Sequence, residues 1–382
     1  MKKILVTGSS GFIGKNLIER LHREPDLEIM SFTNGDGMGK LRSYLDQADI
    51  IFHLAGVNRP KNEDEFEKTN KGLTDEMVNY LKKMNKKTKI IFSSSLQAEL
   101  ENPYGLSKKR AEDSLIAFSK ATNNELSIFR LPNVFGKWCK PNYNSVVATF
   151  CHNICNDKKI TIHDPDKVLN LVYIDDVVEG LVECIYEQQA ADDYYRHIHP
   201  VFQVSVGTIA NKIYEFKDIR KSLLIPDLSD KFTKYLYTTY LSYLPQNQFG
   251  YDLPVHKDDR GSLFELIKSQ NAGQIFVSVS KSGVKRGNHY HNTKVEKFCV
   301  IKGKAAITFR HIHSDEILEY VVSDQNIQII DIPPGYTHAL ENLIDDELIV
   351  LFWANEVFDQ TKPDTYYLNV DNKKINKKGD SI

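Results

Sequence analysis

Along the first part of the chain, short apolar runs recur and are separated by stretches that suit helices. Lys3–Thr7, Leu27–Phe32, Asp49–Gly56 and Lys89–Ser95 are such runs. They carry little polar alternation, which predicts strands covered on both faces and joined by helical crossovers, an α/β domain. The first helix is predicted over Lys15 to Arg23. Another opens at Pro103, where proline is tolerated, and Lys108–Asp113 continues it without a breaker. The pattern loosens from Tyr235 through Pro245, Asn247 and Gly250, which marks a boundary. Beyond it, Ile275–Val279, Lys297–Ile301, Ala305–Phe309, Ile327–Ile332 and Leu348–Trp353 are β-branched and aromatic runs with turn signals between them. That cadence predicts an antiparallel barrel or jelly roll of about 120 residues. The expected organisation is an α/β domain over 1–246, an all-β domain over 247–370 and a frayed, polar, basic tail over 371–382.

Composition narrows the class. A chain of 382 residues exceeds what one core organises, which agrees with two domains. Hydrophobic content of 41% and charged content of 26% suit a soluble globular protein, and a net charge of -2 gives no footprint for nucleic acid or a membrane surface. No apolar run reaches the roughly 20 residues of a bilayer span, and Met1-Lys2-Lys3 leads straight into a strand, so a cytoplasmic protein is expected. The five cysteines are scattered without a CxxC pair, which argues against a disulfide framework or a four-thiolate metal site.

The candidate chemistry of the first domain centres on Tyr104 and Lys108, four residues apart on one helix face. A cation beside a phenol favours the phenolate, so Lys108 is expected to draw the Tyr104 pKa down into a usable range. Ser95, or its neighbour Ser94, ends the preceding strand and could hydrogen-bond a substrate carbonyl. At the first strand-to-helix turn, Gly8, Gly11 and Gly14 with Phe12 and Ile13 would let the backbone approach a pyrophosphate. Leu54, Ala55 and Gly56 would lie against the same cofactor. The second strand ends Ser31-Phe32-Thr33-Asn34 with no carboxylate to grip a ribose 2′-hydroxyl, which points to NADPH over NADH and leaves the 2′-phosphate's positive partner unassigned. Arg59 stands in a loop at the strands' carboxyl end, and Lys137 and Lys140 belong to a polar, aromatic and basic loop over 136–144.

In the second domain His289 and His291 alternate along a strand and face one side, with Glu296 close behind and His338 after Pro333-Pro334-Gly335. Three imidazoles and a carboxylate make a four-ligand metal set that suits zinc, iron, manganese or nickel.

TGxxGxxG over Thr7–Gly14, HLAG over His53–Gly56, Asn70 in NxxG, the serine strand, YxxxK, Arg130–Gly136 and Val172–Asp176 together resemble the extended short-chain dehydrogenase/reductases over roughly residues 1–245. That resemblance implies a Rossmann-type fold with Ser95, Tyr104 and Lys108 as the catalytic triad, Asn70 beside the cofactor, and Asn133, with Arg59 and Lys140, on the nucleotide-sugar side. Two departures matter. Leu96 and Gln97 replace the Asp-Glu pair of sugar-nucleotide 4,6-dehydratases, and the spacing from Ser95 to Tyr104 is shorter than in the 4-epimerases. The histidine segment, from Gly283 to Gly303 and from Pro333 to Asn342, is similar to both cupin motifs except that Ile327 replaces the usual glycine. Zinc is the metal this resemblance implies.

The fusion of the two is similar to a family of bacterial capsular polysaccharide enzymes. It implies a homodimer acting on a UDP-linked 4-keto-6-deoxy amino sugar, UDP-2-acetamido-2,6-dideoxy-hexos-4-ulose: the cupin inverts C3, then NADPH reduces C4. The base that takes the C3 proton stays open among a hydroxide beside the cation, Tyr290, His311 and His313. The alternative is a 4-epimerase that retains its cofactor and uses the barrel only to dimerise.

Overall fold

The computed structural model describes every residue except 61, 63–65, 188–192, 255, 259–260, 264–266, 269–272, 357–358 and 372–382. All but the first residue of the expected tail therefore lies outside the described residues. The chain forms two compact units, one of Met1–Phe135, Cys139–Ser145 and Val168–Val204, the other of Gly136–Trp138, Val146–Lys167 and Ser205–Ile382.

The first unit is built on β1 (Lys2–Thr7), α1 (Phe12–Leu21), β2 (Leu27–Phe32), α2 (Met38–Gln47), β3 (Ile50–His53), α3 (Leu73–Lys83), β4 (Lys89–Ser95), α4 (Pro103–Thr122) and β5 (Leu126–Leu131). With β8 (Tyr195–Arg196) these strands make one parallel sheet in the order β2-β1-β3-β4-β5-β8. Leu5, Ile51, Ile90 and Phe92 fill its middle and are 1% exposed or less, while Met77, Leu81, Leu115 and Phe118 of the covering helices close over them. Burial on both faces explains why the strands read as unbroken apolar runs. The connection from β2 returns across β1 to β3, so the order reverses beside β1 and opens a crevice at the strands' carboxyl ends. A smaller sheet of β6 (Asn133–Phe135), β7 (Val168–Tyr173) and β9 (Phe202–Ser205), with α6 (Ile174–Glu183), completes this part.

The second unit holds α5 (Val146–Cys155), α7 (Val206–Ser222) and α8 (Lys231–Leu241) together with the β-rich segment. Its strands are β10 (Gly250–Asp252), the short hairpin β11 (His256–Asp258) and β12 (Gly261–Leu263), then β13 (Gln274–Ser280), β14 (Lys285–Tyr290), β15 (Glu296–Lys302) and β16 (Lys304–His311). They continue with β17 (Ile317–Ser323), β18 (Gln328–Ile332), β19 (Tyr336–Asn342), β20 (Leu348–Ala354) and β21 (Tyr366–Tyr367). Two five-stranded antiparallel sheets result, β10-β18-β15-β20-β13 and β17-β16-β19-β14-β21.

The antiparallel strands begin at Gly250, and the same compact unit takes in three earlier helices. The reason is a set of specific bonds. Arg220 of α7 reaches Asp331 at 3.0 Å, Lys234 of α8 reaches Glu356 at 2.8 Å, and the Thr238 hydroxyl donates to the Thr293 carbonyl at 3.1 Å. Asp331, 1% exposed, also takes Lys297 at 2.6 Å, so a buried carboxylate is matched by two cations. All five cysteines are free thiols. Among the described residues no helix is long and apolar enough to cross a membrane.

Candidate active site and candidate metal centre

The glycine turn follows β1 directly, and α1 begins at Phe12, three residues earlier than its sequence predicts. This places Gly14 inside the first helical turn, where a Cβ would stand 2.3 Å from the Gly8 carbonyl oxygen, so no larger residue fits. The first-turn N–H groups that Phe12, Ile13 and Gly14 present have no partner within the helix and suit an anion. Leu54 and Ala55 are held beside this turn by bonds of 3.3 Å from their N–H groups to the Thr7 carbonyl and the Thr7 hydroxyl.

Thr7, His53 and Asn70, each part of a motif in the sequence, are joined by hydrogen bonds that the sequence does not show. His53 is fully buried, with Nδ1 2.8 Å from the Thr7 hydroxyl and Nε2 2.8 Å from the Thr74 hydroxyl. Thr74 donates to the Asn70 carbonyl at 2.7 Å, so it must accept from His53 Nε2–H, and Thr7 donates to Nδ1. Burial pushes the His53 pKa down to about 3, and the imidazole is neutral. Asn70, on a π-helical turn over Glu67–Gly72, accepts from Val57 N–H at 2.7 Å and donates to the Ser107 hydroxyl at 2.9 Å. Ser107 in turn donates to the Tyr104 carbonyl at 2.8 Å. Asn70 thus ties the loop after Gly56 to the helix that carries Tyr104.

That helix opens as the sequence predicts, with Asn102 capping the Gly105 N–H at 2.8 Å. Gly105 has a packing reason: a Cβ there would lie 2.0 Å from the Gln97 carbonyl oxygen. The turn over Leu96–Glu99, capped by Ser95, can therefore sit directly on the start of α4.

Of the two serines, Ser94 is committed elsewhere. Its hydroxyl donates to Glu112, which is fully buried and takes the Arg130 guanidinium at 2.6 Å and the Tyr195 hydroxyl at 3.2 Å. Ser95 accepts the Gln97 N–H at 3.2 Å and is the neighbour that favours ionisation of Tyr104. Lys108, 5% exposed, donates to the Ser93 carbonyl at 2.6 Å and lies 4.4 Å from the centre of the Phe92 ring. Burial lowers its pKa to about 8, with Glu112 pulling the other way. The expectation that Lys108 draws the Tyr104 pKa down is corrected. Burial raises the phenol's pKa with Ser95 pulling the other way, and the Lys108 ammonium is anchored on Ser93 instead.

A second correction concerns the end of β2. Asp36 folds back there and accepts from Thr33 N–H at 2.8 Å and from the Thr33 hydroxyl at 3.0 Å. Lys40 reaches the other carboxylate oxygen at 2.6 Å. A carboxylate and its neutralising cation therefore occupy the strand end that the sequence suggests is uncharged. The omission arose because Asp36 lies beyond the strand and returns through a turn.

Arg59 and Lys140 are exposed and flank one aromatic ring, lying 6.0 and 5.3 Å from the centre of Tyr143. Asn133 is exposed and donates to the Asn170 carbonyl at 3.2 Å. Lys137 is 1% exposed and groups with the second unit, its ammonium 5.3 Å from the centre of the Trp138 ring.

In the second unit, His289, His291, Glu296 and His338 converge, each offering a ligand atom within 4.8 Å of the others. His289 and His291 alternate on β14 and its continuation, His338 comes from β19 of the same sheet, and Glu296 opens β15 of the other. A bulge between Gly287 and His289 sets His289 opposite His338. Tyr290 takes the opposite side, against Tyr366 at 5.5 Å, which removes it from the cage. His311 and His313 gather around Trp138 at 5.8 and 4.5 Å.

The donor set is suited to a cation. His291 Nδ1–H is committed to the Asp364 carbonyl at 2.6 Å and His338 Nδ1–H to the Tyr336 carbonyl at 3.3 Å. Both Nε2 lone pairs then face one oxygen of Glu296, at 3.0 and 3.6 Å, and His338 Nε2 is buried without a donor or acceptor. Ligands on a tetrahedral zinc lie about 3.3 Å apart, given bonds near 2.0–2.1 Å. Burial, reinforced by the neighbouring imidazoles, holds His289 neutral, and burial does the same for His338. Burial opposes ionisation of Glu296, but the adjacent His291 and His338 outweigh it and hold the carboxyl well below its ordinary range. Neutral imidazoles around an ionised carboxylate are the forms that bind a metal.

Known proteins share both halves. Residues 4–197 match the NAD dependent epimerase/dehydratase family and residues 256–366 match the polysaccharide biosynthesis C-terminal domain. A Pseudomonas aeruginosa protein, UDP-2-acetamido-2,6-beta-L-arabino-hexul-4-ose reductase, is 42% identical over 368 residues, 96% of this chain and 99% of that one. The crystal structure of the capsular polysaccharide assembling protein CapF from Staphylococcus aureus is 44% identical, covers 96% of this chain and 100% of its own, and superposes with a TM-score of 0.67. The UDP-glucuronic acid 4-epimerase of Bacillus cereus, 20% identical over 56% of this chain and 83% of its own with a TM-score of 0.52, shares the fold of the first part alone.

Proposed function

The chain belongs to the NAD dependent epimerase/dehydratase family, in the CapF-like form that adds a polysaccharide biosynthesis C-terminal domain, and from that premise we propose a bifunctional UDP-sugar enzyme. Its substrate is UDP-2-acetamido-2,6-dideoxy-hexos-4-ulose. The barrel, as a zinc cupin, inverts C3, and the first unit then reduces the C4 ketone to UDP-2-acetamido-2,6-dideoxy-L-talose. The observation that carries this reading is the near full-length similarity to a hexul-4-ose reductase in a chain whose barrel adds a cage of three histidines and a glutamate.

NADPH supplies a hydride to C4 when it is bound. Tyr104 delivers a proton to the C4 oxygen as charge develops there, and a phenol whose pKa is raised is protonated at neutral pH, the form a reduction needs. Ser95 hydrogen-bonds the same oxygen. Lys108, fixed on Ser93, keeps a positive charge at the base of the crevice. Gly8, Gly11 and Gly14 admit the pyrophosphate, and Lys40, which pairs with Asp36, is the cation assigned to a 2′-phosphate in this reading. Arg59 and Lys140 take the sugar's diphosphate.

In the β-rich segment, His289, His291, Glu296 and His338 would hold a metal ion, whose Lewis acidity would supply polarisation of the ketone and make the neighbouring C–H bond more acidic. With Tyr290 turned away, the C3 proton goes to a hydroxide beside the cation, His311 or His313. Chemistry sets the order. The C3 proton is acidic only while C4 is a ketone, so inversion precedes reduction.

Two variants separate the halves. Tyr104→Phe should abolish NADPH oxidation and leave deuterium exchange at C3 intact, whereas His289→Ala should lose the exchange. An His289→Ala protein that exchanges at the unmodified rate ends the assignment of inversion to the barrel.

A further inference from the structure

We propose that residues 363–370 form a clasp that sets the geometry of the metal cage, with Asp364 as its principal positioning residue. The inference rests on the reading that the cage holds a cation. Asp364 acts on two ligands at once. Its carbonyl accepts from His291 Nδ1–H at 2.6 Å, which points the other ring nitrogen into the cage. Its carboxylate accepts from the N–H groups of Asn292, Thr293 and Lys294 at 3.1, 2.8 and 2.7 Å, and from the Thr293 hydroxyl at 3.0 Å. Those are three of the four residues between His291 and Glu296, so one side chain fixes most of the path from one ligand to the next. Asp364 adopts a left-handed backbone, φ 40°, which lets its carbonyl and carboxylate serve the same loop.

The rest of the clasp reaches the other two histidines through their neighbours. Leu368 N–H donates to the Asn288 carbonyl at 2.8 Å and Val370 N–H to the Asn288 side-chain oxygen at 3.2 Å. Asn288, at φ 56°, is the residue of the bulge that sets His289 opposite His338. Thr337, next to His338, donates its hydroxyl to the Leu368 carbonyl. The far end is pinned by Arg310, 2% exposed, which donates to the Val370 carbonyl at 2.6 Å and the Asn369 carbonyl at 2.8 Å. A segment that lies after every long strand of the barrel thus holds the residue before His289, the ring of His291, the residue before His338 and the loop into Glu296.

The test is Zn2+ affinity of the full chain, read by competition with a chromophoric chelator. Asp364→Asn keeps the size of the side chain but loses the charge that gathers three N–H groups, and its zinc affinity should fall about 10–100-fold. Asn288→Gly suits the left-handed backbone, removes only the bond to Val370, and should lower affinity by a smaller factor even if Asp364→Asn folds poorly. Binding is reciprocal, so stripping zinc with EDTA should speed proteolytic cleavage within 363–370 in the unmodified protein. Zinc binding by both variants as tight as the unmodified protein's overturns the clasp. Failure of the unmodified protein to bind zinc at all overturns the metal reading beneath it.

Discussion

The ammonium of Lys108 touches the carbonyl of Ser93 at 2.6 Å and is almost wholly removed from water, and this single placement has two measurable consequences. Its folded pKa, about 8, lies below the unfolded value of 10.5. The folded chain gives up this proton more readily than the unfolded chain, so Lys108 costs stability below about pH 8 and the cost is relieved as pH rises from there towards 10.5. The same titration removes the positive charge from the crevice, and ketone reduction should fall off above about pH 8, as a pH–rate profile would show. Lys108→Met should trade in the opposite sense, giving a protein about 2 kcal/mol more stable at pH 7 in urea unfolding and devoid of reductase activity. Lys40 offers a second residue-level test. It neutralises Asp36 at the end of β2. Lys40→Met leaves that carboxylate bare, so kcat/KM for NADPH should drop by about 5–10-fold while that for NADH changes little. Equal losses for both cofactors would place Lys40 outside the 2′-phosphate site.

At the scale of elements, the crevice is made by locking β4 to α4. Ser94 of β4 and Arg130 of β5 both close on Glu112 of α4, directly behind the residues that carry Ser95, Tyr104 and Lys108. Glu112→Ala would leave a guanidinium without its buried partner, and a loss of about 3–5 kcal/mol is expected in unfolding experiments. The sequence made some of this plain and hid the rest. The glycine turn and the pair Tyr104 and Lys108 are local spacings, visible because neighbours in sequence are neighbours on a turn or a helix face. The sequence favours Ser95 over Ser94 by resemblance alone, and the engagement of Ser94 with Glu112 and Arg130 was not visible because those partners arrive from other elements. Asp36 and Asp364 escaped for the same reason. Their partners lie three to more than seventy residues away, and nothing in their composition marks them.

For the whole molecule, the alternation of short buried strands and helices foretold the parallel sheet, and the β-branched runs foretold the antiparallel one. Compactness was harder to foresee. Helices α7 and α8 pack with the barrel because Arg220 and Lys297 share Asp331 in the interior and because Lys234 finds Glu356, pairings that no boundary signal near Pro245 could reveal. The proposal assigns reduction to residues of one unit and inversion to the histidine cluster of the other, and that division gives the proposed sequence of reactions a direct test. The purified protein, loaded with zinc, is incubated with the UDP-linked 4-ulose in deuterated water, with and without NADPH, and the sugar ring is followed by NMR. Without NADPH, C3 should acquire deuterium and no 4-hydroxyl product should form; with NADPH, a reduced sugar should appear carrying deuterium at C3. A reduced sugar that retains its C3 proton throughout would contradict the account, because the ketone would then have been trapped without passing through the barrel.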